Sequence, residues 1–382
     1  MPWKDVSVVR QRRELVTALL TRTEAVAVIC RRFGVSRPTA YKFMRRFRAS
    51  GGAGLKDRSH VPARICAPQA AKWRSLVLGL RRRHPSWGAR KLRWLLRQRD
   101  DRRGLPAERT VQRWIRQAGL VRPRRPRRRA YAAAGRGTCA RRSNMVWTID
   151  LKGWFRTGDG TKIEPLTVRD LWSRYVLWTR PLAPRDEAGV RRVCQRLFRR
   201  YGRPRVIRCD RGAPFFGDGP HGFTRLSLWW WRQGIRVEFV RRGAINNNAH
   251  EQMHGVLKTE LAIAHTAATQ TRRLERWRQR YNEQRPHEAL RLRPPAEVYR
   301  PCPRSRARLI EPRYPRHYLQ RRVPPNGKIS LSGWSGSIGR AFGGQCVGFA
   351  PAGRGRYRVY FAGLYLGLIA PAISPKLVSA GF

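Results

Sequence analysis

The strongest constraint on the fold of this chain is its charge: 83 Lys and Arg against 23 Asp and Glu, a formal net charge of +60 over 382 residues. Any core has to form on apolar stripes set between basic faces, and the whole should bind polyanions through counterion release, with strong salt dependence. Three carboxylates, Asp150, Asp210 and Glu251, persist in this field at the ends of strand-like runs or on a helix. Acids so placed point to a metal site that works on a phosphate backbone, and cutting and joining of DNA is the expected chemistry.

The apolar fraction of 41% and 14 tryptophans supply real cores, and the length predicts two to four domains. No apolar run approaches the roughly 18 residues of a membrane span, and no apolar signal region opens the chain. The expectation is a soluble cytoplasmic protein associated with the nucleoid, with no membrane partner. Cys30, Cys66, Cys139, Cys194, Cys209, Cys302 and Cys346 are odd in number and widely spaced. They predict buried thiols in a reducing compartment rather than disulfides or a zinc knuckle.

Val26, Ile29, Cys30 and Phe33 form one helical stripe. Gly34 stops that helix, Ser36 can cap the next, and Pro38 is tolerated in its first turn, giving a helix-turn-helix. On the second helix Ala40, Phe43, Met44 and Phe47 form a face to bury, while Arg37, Thr39, Lys42, Arg45 and Arg46 are available for DNA. A basic helical hairpin that only packs is the plainer alternative. Gly54 to Ser59 reads as a polar connector.

Leu92, Leu95 and Leu96, then Val111, Trp114 and Ile115, predict a second helix-turn-helix whose last helix opens at Glu108. It offers Arg109, Gln112, Arg113 and Arg116 to phosphates or base edges. The strip that follows, with Arg124, Arg125, Arg127 and Arg128 among prolines, cannot form a core. It is expected along the DNA backbone or in a minor groove, or else as a solvated linker.

Met145 to Lys152, Ile163 to Val168 and Tyr175 to Trp178 read as three strands. A helix from Asp186 carries Val190, Val193, Cys194, Leu197 and Phe198, and Gly202 ends it before the strand Arg205 to Asp210. With a strand from Ile235 and a helix from Asn248, this is an α/β layer on a mixed sheet, and Asp150 and Asp210 fall at or near neighbouring strand ends. Lys258 lies about two helical turns beyond Glu251 on one face and could hold a DNA phosphate; His254, one turn along, could do the same.

Four strings carry a family likeness: Trp147-Thr148-Ile149-Asp150; Ile207-Arg208-Cys209-Asp210-Arg211-Gly212-Ala213-Pro214-Phe215; Asn248-Ala249-His250-Glu251; and Tyr281-Asn282-Glu283-Gln284-Arg285-Pro286-His287-Glu288-Ala289-Leu290. In this order they resemble the integrase core of bacterial insertion-sequence transposases, and Phe33 to Tyr41 resembles the N-terminal helix-turn-helix of that family. The resemblance implies a ribonuclease-H-like fold and an Asp, Asp, Glu triad at Asp150, Asp210 and Glu251. It further implies two Mg²⁺ ions, with Mn²⁺ as a substitute, Asp150 bridging both, Asp210 on one and Glu251 on the other. In-line phosphoryl transfer needs such hard cations, and hard cations take oxygen ligands. Two departures stand out: Arg211 follows the second Asp where the family has Asn, and the stretch from Asp210 to Glu251 is long. The extra length is assigned to the turn-rich segment Gly217 to Gly222.

Asp159, Glu164, Asp170, Asp186 and Asp218 suit turns or a helix start, and Glu260 suits pairing with a surface Arg. Trp229-Trp230-Trp231 suits a core wall better than base stacking, and Asn248 a helix cap, with Asn246 and Asn247 free for DNA. After Pro301 short alternating strands with many glycines predict a small β-barrel.

The resulting expectation is a multidomain protein. Residues 1–58 form one helix-turn-helix domain, 59–136 a second, helix-turn-helix or winged-helix-like, with the basic linker, 137–305 the ribonuclease-H-like core, and 306–382 the barrel. The first two are all-α and the core is α/β. The expected function is a DNA transposase, oligomeric (dimer or tetramer) on double-stranded DNA, that binds its element's terminal repeats and joins the 3′ ends to target DNA. A catalytically silent helix-turn-helix regulator is the alternative, with a structure-selective nuclease behind it.

Overall fold

The structure is a computed structural model. It describes residues 7–57, 67–99, 104–121, 137–183, 186–240, 248–302, 309–331, 334–370 and 374–379, and it divides into two compact units, Met1–Gln69 and Ala70–Phe382. Arg124, Arg125, Arg127, Arg128, Cys66, Asn246 and Asn247 lie outside the described residues, as does the side chain of Asn248.

The first unit is three helices, α1 (Val8–Thr21), α2 (Val26–Arg32) and α3 (Arg37–Ser50). The turn between α2 and α3 follows its sequence. Gly34 takes a positive φ of 64°, and the Ser36 hydroxyl accepts the Thr39 amide at 3.4 Å to cap α3. Leu15, Leu19, Ile29, Cys30 and Ala40 are buried together. The polar connector is in fact part of this fold through Asp57. Leu55 is fully buried with Val16 and Phe43, and the buried Arg12 guanidinium donates to the Leu55 carbonyl and to Asp57, each at 2.8 Å. A Cβ on Gly54 would overlap the Arg46 carbonyl. Polarity in the sequence suggested a linker, but Arg12 supplies partners that sequence proximity does not reveal.

The second unit begins with helices α4 (Ala67–Arg83), α5 (Ala89–Arg99) and α6 (Glu108–Gln117), closed on a core of Trp73, Val77, Leu80, Trp87, Leu92 and Val111, among others. The sheet that follows has β1 (Val146–Leu151), β2 (Phe155–Arg156), β3 (Lys162–Asp170), β4 (Val176–Leu182), β5 (Val206–Asp210) and β6 (Arg236–Val240). Its order is β4-β3-β1-β5-β6, with β2 also pairing β3. The meander β1, β3, β4 is antiparallel, and β5 and β6 run parallel to β1. Four helices accompany it: α7 (Glu187–Tyr201), α8 (Arg225–Arg232), α9 (Asn248–Glu260) and α10 (Ala267–Glu283). Asp186 caps α7, accepting the Gly189 amide at 2.6 Å, and the α7 stripe joins Trp147, Ile149, Ile207 and Trp230 in the main core. This is the expected integrase-like arrangement. The α10 helix was not anticipated. Its Asn282 side chain clasps the backbone of Val176, accepting the amide at 2.8 Å and donating to the carbonyl at 2.9 Å.

The tail forms β7 (Leu319–Arg322), β8 (Lys328–Leu331), β9 (Trp334–Ser337), β10 (Cys346–Pro351), β11 (Tyr357–Phe361), β12 (Leu364–Ala370) and β13 (Ser374–Ser379). The expectation of a barrel is corrected: the strands pair as an open five-stranded sheet, β13-β12-β11-β10-β7, beside a β8-β9 hairpin, and no closed barrel forms among the described residues. Alternation predicts strands but not which edges meet, so closure was beyond its reach. The segment Gly217 to Gly222 also has a role its turn-rich composition hid. His221 hydrogen-bonds the Tyr365 carbonyl, and the adjacent Phe223 packs with Leu228, Phe342 and Phe361 in the tail's core. The extra length after Asp210 therefore attaches the tail to the mixed sheet.

Trp230 is fully buried beside Phe215, Trp229 stacks on Phe198, and Trp231 meets Phe223 edge-on, so the tryptophan run is core wall. The cysteine expectation holds for Cys30, Cys194 and Cys209, which are buried, and fails for Cys139 and Cys302, which are exposed, and for Cys346, which is half-buried.

Candidate active site

The parallel pairing of β1 with β5 sets Thr148 opposite Arg208. Two residues further along, each strand presents an Asp, Asp150 on β1 and Asp210 at the end of β5. Side chains alternate along a strand, so Thr148 and Asp150 share a face. On the other side of β1, Asp150 pairs with Thr167 of β3, and paired residues point the same way. This face of the sheet carries α9, whose positions 250, 253, 254 and 257 turn inward. Glu251 and Lys258 are exposed on it.

Asp150 is the electrostatic centre. Burial pushes its carboxyl up to about 7, and the negative charges of Asp210, Glu251 and Glu164 push the same way, against a hydrogen bond from the Leu151 amide. The three sequence-predicted acids thus share one field, although Asp210 and Glu251 are exposed and Asp150 is only partly so. The Asp210 carboxylate accepts the Gly212 amide at 3.3 Å. Arg211, where the family has Asn, lies with its guanidinium 5.4 Å from the centre of the Phe216 ring.

Behind Asp150 lies a hydrogen-bonded hub that the sequence reading missed. The Thr167 hydroxyl donates to the Asp150 carbonyl at 3.0 Å and meets Nε2 of His250 at 2.6 Å and Nε2 of His254 at 2.9 Å. His250 Nδ1 reaches the Thr148 hydroxyl at 2.7 Å. A hydroxyl has one proton and a carbonyl can only accept, so with the Thr167 proton on the Asp150 carbonyl both imidazoles donate to Thr167 through Nε2. Burial holds both rings neutral: His250 is driven well below its usual range, and His254 falls to about 3, helped by Lys152 and Lys258 nearby. His254 is therefore a neutral, largely buried group. The available signal was the spacing of His250 and His254, one turn apart on α9, combined with Thr148 two positions before Asp150.

Replacing Thr167 by Val keeps the shape and strands two buried imidazole N–H groups. A loss of about 1–3 kcal/mol in stability is expected by urea unfolding; an unchanged midpoint would show that the hub contributes nothing.

Lys258 keeps its place on the exposed side of α9, and Lys152 joins it. Burial and the charge of Lys258 lower the Lys152 ammonium below its usual value. Lys152, the residue after the end of β1, was not singled out from sequence. Of the helix-turn-helix candidates, Arg37, Lys42 and Arg45 are exposed. Thr39 is half-buried against Ser36, and Arg46 rests over the Phe43 ring. On α6, Arg109, Gln112, Arg113 and Arg116 are all exposed, with Gln112 donating to Glu108 at 3.2 Å.

Three of the competing acids have structural partners, while Glu164 adds to the field at Asp150. Asp170 is fully buried and accepts from the Asn144 amide and from the Ser173 amide and hydroxyl, Asp159 is held by Thr157 and Thr161, and Asp186 caps α7. Glu260 does not pair with a surface Arg as expected. Its partner Arg285 is buried, with only 5% of its side chain exposed.

The chemistry of the donor set fits a hard divalent cation. Asp210, Glu251 and Glu164 all act on the Asp150 carboxyl, and positive charge is what would relieve that repulsion. No helix among the described residues is long and apolar enough to cross a membrane.

Residues 11–63 match a helix-turn-helix domain model and residues 233–295 an integrase core domain model. An uncharacterized 31.7 kDa protein of insertion element IS407 from Burkholderia multivorans is 30% identical over 194 residues, covering 49% of this chain and 67% of the relative. An uncharacterized 39.2 kDa protein of insertion element IS476 from Xanthomonas euvesicatoria is 28% identical over 260 residues, covering 65% of this chain and 71% of that protein. The HTLV-2 integrase catalytic core domain, solved in complex with magnesium, superposes at a TM-score of 0.34 and 11% identity, covering 42% of this chain and all of that one. With its helix-turn-helix, its integrase core and its insertion-element relatives, the chain belongs to the family of bacterial insertion-sequence transposases with an integrase core domain.

Proposed function

We propose that the protein binds the ends of its own element, cleaves the DNA there and joins the 3′ ends to target DNA. The observation that carries this is the convergence of Asp150, Asp210 and Glu251 in one electrostatic field on adjacent parallel strands and the helix above them. Asp150 would hold both members of a pair of divalent cations, Mg²⁺ or Mn²⁺, with Asp210 on one and Glu251 on the other. When bound, such ions stabilise the attacking and leaving oxygens of an in-line displacement.

The chain's own groups do the rest. Lys152 and Lys258 stand where a phosphate beside the acids would need positive charge. The Thr167, His250 and His254 hub fixes the β1 backbone at Asp150 relative to α9 and so fixes the distance between the first acid and Glu251. The exposed faces of α3 and α6 offer Arg37, Lys42, Arg45, Arg109, Arg113 and Arg116 to DNA, in the manner of recognition helices. Assembly as a dimer or tetramer on DNA, with action in the cytoplasm at the nucleoid, belongs to the same proposal, because two element ends have to be brought together.

Incubation of the protein with a labelled duplex carrying the element's end and a supercoiled plasmid tests it. Joined product with Mg²⁺ and none with EDTA is the expected result. Binding without joining under both conditions would support a silent regulator instead, and cutting without joining a nuclease. For the binding surfaces, Arg113→Ala is expected to weaken duplex binding and to reduce the slope of log K against log salt by about 1, the loss of one phosphate contact. An unchanged slope would remove Arg113 from the DNA interface.

A further inference from the structure

We propose that the cation held by Asp150 also takes a nitrogen ligand, Nδ1 of His254, which makes this a mixed oxygen and nitrogen site. The inference rests on the reading of Asp150 as a metal-holding residue and adds to it a ligand from the hub behind the strand.

One ligand atom from each of Asp150, His250 and His254 lies within 4.8 Å of the other two. The hydrogen bonds decide between the two histidines. His250 uses both ring nitrogens, Nε2 on Thr167 and Nδ1 on Thr148, so it has no lone pair to offer without breaking a buried bond. Among the described residues His254 uses only Nε2, again on Thr167. With the single Thr167 proton on the Asp150 carbonyl or on His250, His254 carries its proton on Nε2 and its Nδ1 keeps a lone pair. That nitrogen faces the Asp150 carboxylate, 3.8 Å from Oδ2. Two donors each about 2.1 Å from one ion stand about 3.0 Å apart at right angles and about 4.2 Å apart at most, so 3.8 Å is within the span of a shared cation. Thr167 then acts as the outer partner that fixes the tautomer and the orientation of a ligating imidazole.

A neutral imidazole suits Mn²⁺ and later transition ions better than Mg²⁺, which prefers oxygen and retains its water. The site is therefore predicted to bind Mn²⁺ more tightly than a purely carboxylate triad would.

The test is pulsed electron paramagnetic resonance on the full chain loaded with Mn²⁺, with no DNA and no turnover. The wild type is expected to show a coupling to nitrogen that shifts to the ¹⁵N frequency when only histidine is ¹⁵N-labelled. His254→Gln, whose amide offers no nitrogen lone pair, should lose the coupling and bind Mn²⁺ at least about tenfold more weakly. The labelled wild-type spectrum decides the matter even if His254→Gln fails to fold. Mn²⁺ bound in an Asp150-dependent manner without histidine coupling would overturn the nitrogen ligand and leave the carboxylate site standing. Coupling that survives in a folded His254→Gln would also overturn it. Mn²⁺ binding that is unaffected by Asp150→Asn would overturn the underlying reading of Asp150 together with the inference.

Discussion

Asp150→Asn is expected to lower metal-dependent strand joining by on the order of 10³-fold while leaving duplex binding intact, since a group that stabilises charge only in the transition state is worth about that much. Asp150 sits where the other two acids converge, and its charge is disfavoured by burial and by Asp210 and Glu251. Asn preserves the shape and the backbone carbonyl that Thr167 grips but removes the negative oxygen that two cations would share. The fold should not suffer: in EDTA the melting temperature of the variant should equal or exceed that of the wild type, because a buried charge without a positive partner has been removed. Gel-shift, joining and melting measurements on the same preparation separate the effects. Joining within a few-fold of wild type would refute a metal-holding role for Asp150, whereas a collapsed melting temperature would mark it as structural.

The second large effect is expected at the far end of α9. Arg285 lies in the loop after α10, its side chain 5% exposed, and pairs with Glu260 at the C-terminus of α9. Glu260 also accepts from Trp277 Nε1 at 3.1 Å and from the Ser86 hydroxyl, which sits in the turn between α4 and α5. Arg285 in turn reaches Ser86 and lies near the Trp87 and Tyr281 rings. One ion pair thus ties the second helical module, the site helix and α10 together. Arg285→Ala leaves a mostly buried carboxylate without its paired guanidinium, with Lys91 as the remaining nearby charge, and should cost about 3–5 kcal/mol in unfolding free energy. A double variant with Glu260→Gln should recover part of that loss, because the stranded charge is gone. If Arg285→Ala costs less than about 1 kcal/mol, the pair is solvated and does not join these elements.

Much of this was legible in the sequence because the signals are local. The α2 and α3 stripes, the Ser36 and Asp186 caps and the positive φ at Gly34 depend on residues within a turn of one another. Asp150 and Asp210 could be placed at strand ends for the same reason: apolar runs stop at them. The integrase-like order of strands and helix followed from these elements and from the four motif strings.

Other features depended on which distant residues meet. The Gly54 to Asp57 stretch reads as polar linker until Arg12 is brought to it, and Glu260 reads as surface until Arg285 is. The tail strands alternate correctly, yet their pairing leaves an open sheet, since an alternating strand does not specify the partner at its edge. Thr148, Thr167, His250 and His254 are unremarkable apart. They become a hub only because β1 pairs with β3 in one register and α9 lies across both. What the sequence alone determined was the elements that carry the candidate acids, because helix stripes, caps and strand ends are set by neighbours along the chain. What only the tertiary structure decided was the environment of those acids, because burial, hydrogen-bond partners and tautomers are set by neighbours in space.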